Sequence, residues 1–287
     1  MIYMFIERYR SEFEIRRMCS VLGVKESAYY AWRRRGECKR IKDDRELLIK
    51  IKAVYEDSKK IYGSPRITAE LRKKGERYGQ KRVARLMKEN GIIARTKKRF
   101  KIFNKVAKEE EVEKNILNRN FNPGRPNQIW ASDITYISTH CGWLFLCVII
   151  DLYSRKVVGW SMSGKPDTGL VICALEMACL NRNPDRGLIF HSDRGIQYAS
   201  KEFKKRIKGK GFVQSMSRKG NCWDNACVES FFHSLKTEEL YFHTLDSIGK
   251  AKSIIFQYIE MFYNRKRLHS HLGYRNPEEF ENNSLLN

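Results

Sequence analysis

Three acidic side chains stand where a carboxylate is out of place. Asp133 is the lone charge in the stretch "WASDITYI", Asp193 ends the apolar run "LIFHSD", and Glu229 lies in "NACVESFFHSLK" close to Val228 and Phe231. An ionised carboxylate in such surroundings is costly unless something compensates it. Divalent cations do so: Mg²⁺ takes oxygen ligands, usually one or two carboxylates together with substrate phosphates. Two such ions, about 3.5–4 Å apart, clamp the attacking and leaving oxygens of an in-line displacement at phosphorus. Lys236 follows Glu229 by two helical turns, so both project from one face, where a cation can hold a phosphate. Plain alternatives stand beside this reading. Each aspartate taken singly also fits a turn or capping carboxylate, and Lys236 a helix-surface lysine. Asp151, ending a strand in "IIDLYSR", reads as a turn former, and Asp224 in "WDNA" as a helix cap.

The elements that must position these groups follow from periodicity. "IWASDITYIS" reads as one strand, and "WLFLCVIIDLYSRKVVGWSMS" as two strands around a turn at 152–155. "DTGLVICALEMACLNR" is an amphipathic helix that Asp167 or Thr168 can cap. "GLIFHS" and "FVQSMS" are two more strands, separated by the helix "SKEFKKRIKGKG". "NACVESFFHSLKTEEL" and "SIGKAKSIIFQYIEMFYNRKR" follow as helices, the first with Asp224 or Asn225 as its cap. Three strands followed by alternating helix and strand predict an α/β fold, a mixed five-stranded sheet flanked by helices.

The first 94 residues are helical in pattern. "SEFEIRRMCSVLG" and "KESAYYAWRRR" are two short helices around Gly23, a helix-turn-helix pattern ending on Arg33, Arg34 and Arg35. Arginines at a helix C-terminus also simply suit its dipole. "RELLIKIKAVYEDS", "YGSPRITAELRKKG" and "GQKRVARLMKENG" predict a three-helix unit stopped by Gly75 and Gly91. "RTKKRFKIFNK" and "EEEVEK" read as a solvated linker, and "FNPGRPNQ" marks a boundary.

The 287 residues carry 56 Lys plus Arg against 33 Asp plus Glu, a net charge of +23 and a pI near 9.7. That excess is the electrostatic footprint of a polyanion binder. None of the eight cysteines forms a C-x-x-C pair, so zinc-ribbon and dithiol redox chemistry are not indicated. They read as reduced thiols of a soluble, cytoplasmic protein. The longest apolar run, 143–150, falls far short of the ~20 residues of a membrane span.

The motifs "WASDITYI", "DLYSRKVVGW", "FHSDRGIQYAS", "SMSRKGNCWDNACVESFFHSLKTE" and "YNRKRLHSHLGYRNPEEF" resemble those of the DDE transposases with a retroviral-integrase core. More narrowly, the chain resembles the second-frame (OrfB) transposases of bacterial insertion sequences. The 35 residues between Asp193 and Glu229 match the interval that names the DD(35)E class, and Lys236 falls where that class carries a basic residue. The resemblance implies an RNase H-like integrase core preceded by helix-turn-helix segments. Its implied parts are 1–40 and 41–94 as helix-turn-helix units, 95–128 as linker, 129–242 as catalytic core and 243–287 as a C-terminal helical extension.

It also implies that Asp133, Asp193 and Glu229 are catalytic and hold two Mg²⁺, with Mn²⁺ as substitute. The activity implied is freeing a 3′-hydroxyl at the element ends and joining it to target DNA. Implied partners are double-stranded DNA (terminal inverted repeats and target), further copies of the chain on that DNA, and an upstream-frame (OrfA) protein or fusion; the implied place is the nucleoid. Besides Lys236, DNA contacts are expected from Arg218, Lys219, Arg265, Lys266, Arg267 and the arginines at 33–35. Two departures are Lys25, where a capping serine is common, and the absence of a His/Cys zinc domain. A nuclease of the same fold, and a DNA-binding regulator or inhibitor of transposition, remain as alternatives.

Overall fold

The computed structural model describes residues 1–35, 38–95, 112–218 and 222–284. The chain forms two compact units, Met1–Ile93 and Ala94–Asn287. Most of the expected linker run, 96–111, lies outside the described residues.

In the first unit, helix α1 (Ile2–Tyr9) precedes the expected pair α2 (Ile15–Val21) and α3 (Glu26–Arg34). Gly23, at φ 65°, makes the turn between the pair. Ile6, Met18, Cys19 and Tyr29 bury together, with Tyr3, Leu22 and Trp32 packed around them. The Tyr29 hydroxyl donates to Glu7, whose carboxylate it holds below the usual range together with Arg10 and Arg33. The three-helix unit follows as α4 (Lys39–Asp57), α5 (Ser64–Lys73) and α6 (Gln80–Glu89). Leu47, Ile51, Ile67, Leu71, Val83 and Leu86 form its buried stripe. Pro65 sits in the first turn of α5, where its missing N–H costs nothing. Asp44 of α4 pairs with Arg82 and Arg85 of α6, both at 2.6 Å.

The second unit is built on one sheet. Strands β1 (Ile129–Thr139), β2 (Gly142–Asp151) and β3 (Val157–Ser163) run antiparallel. Strands β4 (Ile189–Ser192) and β5 (Val213–Met216) join parallel, in the order β3-β2-β1-β4-β5. This is the expected mixed five-stranded sheet, with helices on both faces. Neighbouring residues of β3 show the two faces, since successive side chains point oppositely. Gly159 meets helix α7 (Thr168–Arg182) so closely that an added Cβ would lie 2.4 Å from Ala174 O and 2.6 Å from Ala178 Cβ. Trp160, next in line, donates from Nε1 to Glu260 and stacks edge-on against Phe256 of helix α11 (Ile248–Phe256). Asp167 caps α7, accepting from Leu170 N at 3.0 Å, as the sequence predicts.

After α7 come the short α8 (Ile196–Ala199) and α9 (Lys201–Gly209), which complete the core on that face with Phe190, Tyr198, Phe203 and Ile207. Helix α10 (Ala226–Glu238) packs on β1 and β2. The predicted long helix after it is α11 followed by a π-helical stretch, Gln257–Tyr263. The chain then turns back, and α12 (Pro277–Ser284) ends the described residues.

Three polar anchors fix this C-terminal region. The Asn264 amide bonds both the N–H and the C=O of Val157, at the start of edge strand β3, at 3.0 Å. Arg182 reaches Glu281 of α12 and Asp151 at the end of β2. Asp151 also accepts from the N–H groups of Asn127 and Tyr153, so it is the turn former that its sequence context suggests. The third anchor corrects an expectation. Arg267 is not a surface phosphate contact: its side chain is 7% exposed and pairs with Glu238 at 2.6 Å, while Ser234 accepts from the same guanidinium.

Two stability predictions follow. Gly159→Ala forces α7 off the sheet and should cost about 1–3 kcal/mol in a denaturant titration. Glu238→Ala leaves the buried Arg267 guanidinium without its counterion and should cost about 3–5 kcal/mol in the same measurement.

Candidate active site

The sheet register brings the first two carboxylates together. β1 and β4 run parallel with Ser132 opposite Ser192 as the last registered pair. Asp133 follows within β1, and Asp193 directly follows the end of β4. Adjacent strands lie about 4.8 Å apart, and residues in register share a face. Asp133 and Asp193 both line a cleft of about 260 Å³, together with Tyr136, Phe145, Ile196 and Gln197. One oxygen of Asp133 accepts from Ile134 N (2.7 Å), and one of Asp193 from Gly195 N (2.9 Å). The second oxygen of each has no hydrogen-bond partner among the described residues.

Charge is therefore crowded here. Burial pushes the Asp133 carboxyl well above the usual carboxylate range, and the charges of Asp193 and Glu229 push it further. The Ile134 N–H and Lys236 oppose this only in part. Burial likewise raises Asp193 against the pull of the Gly195 N–H. The chemistry of the donors fits a hard divalent cation: carboxylate oxygens left over, like charges together, and no arginine on either aspartate among the described residues.

Helix α10 carries the third carboxylate. Glu229 stands exposed in its first turn, within electrostatic reach of Asp133. Among the described residues, no group of three His, Cys, Asp or Glu side chains is close enough to hold a metal ion as it stands. Two of the trio thus share one cleft, and the third, on the helix, is linked to it by its charge acting on Asp133. Lys236, on the same helix, is half-buried with its ammonium 5.3 Å from the Tyr136 ring centroid. Burial lowers its pKa, and Asp133 acts against that shift.

The start of α10 is held by a centre that the sequence reading misplaced. Asp224 does not cap the helix. Its buried carboxylate takes the Arg218 guanidinium through two bonds of 3.0 Å and also accepts the Arg218 N–H. Arg119 (3.1 Å) and Asn115 (2.8 Å) complete its shell. Arg218 holds the carboxyl far below the usual carboxylate range. Nothing local marked this role, because the partners come from residues 115–119 as well as from nearby. Asn225, in the capping position, makes no side-chain capping bond. Its Nδ2 donates to Ser132 O at 3.1 Å, and its buried Oδ1 has no partner among the described residues. A buried acceptor left unmatched costs about 1–3 kcal/mol.

The other expected contacts are distributed as follows. Arg33, Arg34 and Arg35 are exposed on the first unit, Arg33 lying 3.6 Å from Glu7. Arg265 and Lys266 are exposed on the second unit, Arg265 lying 3.8 Å from Glu278. Lys219 lies outside the described residues. Of the neighbours of Asp193, Tyr198 is buried and shares a 2.8 Å hydrogen bond with Ser132. His191 is buried between the Ser215 and Ser217 hydroxyls, and burial lowers its pKa to about 4. These two side chains support the strand ends and do not reach the surface.

The His191 imidazole folds neutral, with a pKa depressed below its unfolded value near 6.5. Its contribution is complete above pH 6.5 and is lost as pH falls through about 4. Thermal melts from pH 7 to 4 should show a loss approaching roughly 3 kcal/mol from this group, and His191→Gln should flatten that part of the curve.

Residues 123–222 and 229–285 match two family models, each described as an integrase core domain, and residues 42–100 match an HTH-like domain. The chain is 42% identical over 287 residues to "Transposase InsF for insertion sequence IS3A" of Escherichia coli K12, covering 99% of this chain and 100% of that protein. It is 40% identical over 263 residues to the "Insertion element IS600 uncharacterized 31 kDa protein" of Shigella sonnei, covering 92% and 97%. A chain from the simian T-cell lymphotropic virus intasome structure matches with a TM-score of 0.47 at 16% identity, over 81% of this chain and 74% of that one. The end-to-end match to the bacterial proteins, and the integrase-core matches on either side of residues 223–228, decide the assignment: the chain belongs to the integrase-core transposases of bacterial insertion sequences.

Proposed function

We propose that this chain cuts the ends of an insertion sequence and joins them to target DNA, using Asp133, Asp193 and Glu229. The observation that carries the reading is the pair of aspartates that directly follow the registered Ser132–Ser192 pair of β1 and β4 and line one cleft, each with an oxygen unmatched among the described residues. In the first reaction water displaces one strand at the element end, leaving a 3′-hydroxyl on the element. In the second that hydroxyl attacks a target phosphodiester, forming one new ester and releasing a target 3′-hydroxyl. No bond to the protein forms in either.

Asp133, Asp193 and Glu229 would hold divalent cations, Mg²⁺ by the hardness of the oxygen donors and two of them as the family resemblance implies. When bound, they supply positive charge to the attacking and leaving oxygens. The protein's own groups do the placing. The strands β1 and β4 hold two carboxylates rigidly, and the Asp224 centre anchors the turn from which the third projects. Lys236, beside Asp133, offers its ammonium to a DNA phosphate at the edge of the cleft. Arg33, Arg34, Arg35, Arg265 and Lys266 are placed to meet phosphates, contacts that position DNA without reading its sequence. Helices α2 and α3, with the three-helix unit α4–α6, are the segments proposed to engage the element ends. We further propose that the chain works as several copies on DNA, with an upstream-frame partner where one is made.

Glu229→Gln should leave DNA binding within about twofold of wild type and abolish joining of labelled element ends to plasmid in Mg²⁺. Joining at the wild-type rate by that variant would exclude the assignment, and a wild-type chain that binds but joins no end would favour the regulator. Affinity for DNA should fall with salt at a log–log slope of about −0.9 per phosphate neutralised, measured by fluorescence anisotropy.

A further inference from the structure

Arg155, in the turn between β2 and β3, is only 9% exposed, yet no carboxylate pairs with it among the described residues. Arg182 and Arg267, also largely enclosed, each hold an acid. A buried charge is ordinarily paired. The three partners of Arg155 are neutral. Nη1 donates to Cys227 Sγ at 3.1 Å, and Nη2 to His271 Nε2 at 2.9 Å and Asn122 Oδ1 at 3.4 Å. Every N–H of a guanidinium is a donor, so Nε–H and one Nη1–H remain without an acceptor among the described residues. Nε is not sealed from solvent.

The partners are sorted by what they have left to give. Arginine only donates, so His271 Nε2 accepts, the imidazole is neutral, and its proton is on Nδ1. Asn122 accepts through Oδ1 and keeps its Nδ2 hydrogens; Cys227 accepts through sulfur and keeps its S–H. Asn122 and His271 are both exposed. A cation thus lies beneath a rim of neutral donors, an arrangement made for an anion. The backbone adds a second observation. Arg155 has φ 62°, in the left-handed region where glycine is free of strain and a long side chain is not. Strain of that kind, held at a residue with a charged side chain, points to a use for the side chain.

Cys227 locates the cluster. It is the second residue of α10 and shares the first turn with Glu229, on a different side of the helix. We propose that Arg155, with His271 and Asn122, forms a subsite for a backbone phosphate of the DNA held at Asp133, Asp193 and Glu229, beside the phosphate that reacts. This rests on the DNA-joining function proposed above. The planar guanidinium fork matches phosphate oxygens, and a strand that reacts at Glu229 carries further phosphates on either side of the reacting one.

The test uses the full chain and labelled element-end duplex in EDTA, read by fluorescence anisotropy across a salt series. Arg155→Gly removes the side chain and relieves the backbone, so it should melt no lower than wild type. Its DNA affinity should fall about 10-fold, and its log–log salt slope should shrink by about 0.9, one phosphate contact. His271→Ala is the second variant; its side chain is exposed and neutral, so it should fold, lose roughly 3-fold in affinity and keep the wild-type slope. Affinity and slope indistinguishable from wild type in Arg155→Gly overturn the proposal, and a lowered melting temperature beside them gives Arg155 a structural role instead. If Arg155→Gly does not fold, His271→Ala decides by the same comparison of affinity. Inorganic phosphate is the remaining arm. If it raises the melting temperature of wild type but not of Arg155→Gly, while DNA binding is equal in both, the site belongs to a free anion and the proposal falls. A wild-type chain that binds no DNA overturns the underlying function, a failure distinct from that of Arg155.

Discussion

Two carboxylates held in one cleft, Asp133 within β1 and Asp193 just past the end of its parallel neighbour β4, form the constraint around which the second unit is arranged. Left in water, Asp133 and Asp193 would repel weakly. On β1 and β4 they cannot move apart, because Ser132 and Ser192 are in register just before them and both strands lie inside the sheet. The protein forgoes easy neutralisation: among the described residues neither aspartate is paired with an arginine, although the chain carries 56 basic residues. Arginines are spent on other buried acids, Arg218 on Asp224, Arg182 on Asp151 and Glu281, Arg267 on Glu238. The contrast separates acids that hold the fold together from acids kept available.

The third carboxylate depends on different physics. Glu229 rides on a helix whose first turn follows the Asp224 centre and whose Asn225 is tied to β1. Its C-terminal half is secured by Glu238, with Tyr258 and Arg267 as partners. The helix is thus attached at both ends by buried polar contacts, with Lys236 between them. Rigidity lies in the strands and in these attachments, while Glu229 itself stands open to solvent.

Local patterns made much of this legible. Alternation and short apolar runs marked all five strands, and Asp167, Pro65, Gly75 and Gly91 marked helix ends where the structure has them. The same reading passed over α1, whose residues precede the stretch in which a helical period was sought. Residues 247–267 read as one helix, because nothing local distinguishes the wider turns of Gln257–Tyr263. Arg267 was misjudged for a different reason. In "NRKR" it looks like its neighbours, and only Glu238, 29 residues earlier, takes it inside. Asp224 and Asn225 read as caps for the same cause: their partners are brought by tertiary structure, not by spacing. The aspartates of the cleft are legible because an isolated charge inside an apolar strand (Asp133) or straight after one (Asp193) is a local anomaly.

The Asn264 side chain has a consequence for how copies of this protein can meet. Strand β3 lies at the margin of the sheet, where unpaired peptide groups invite another chain to add itself. At Val157 that invitation is withdrawn, since the amide supplies both a donor and an acceptor in place of a neighbouring strand. A sixth strand starting there would first have to expel Asn264 and the segment it anchors. Growth of the sheet from molecule to molecule is hindered at this corner.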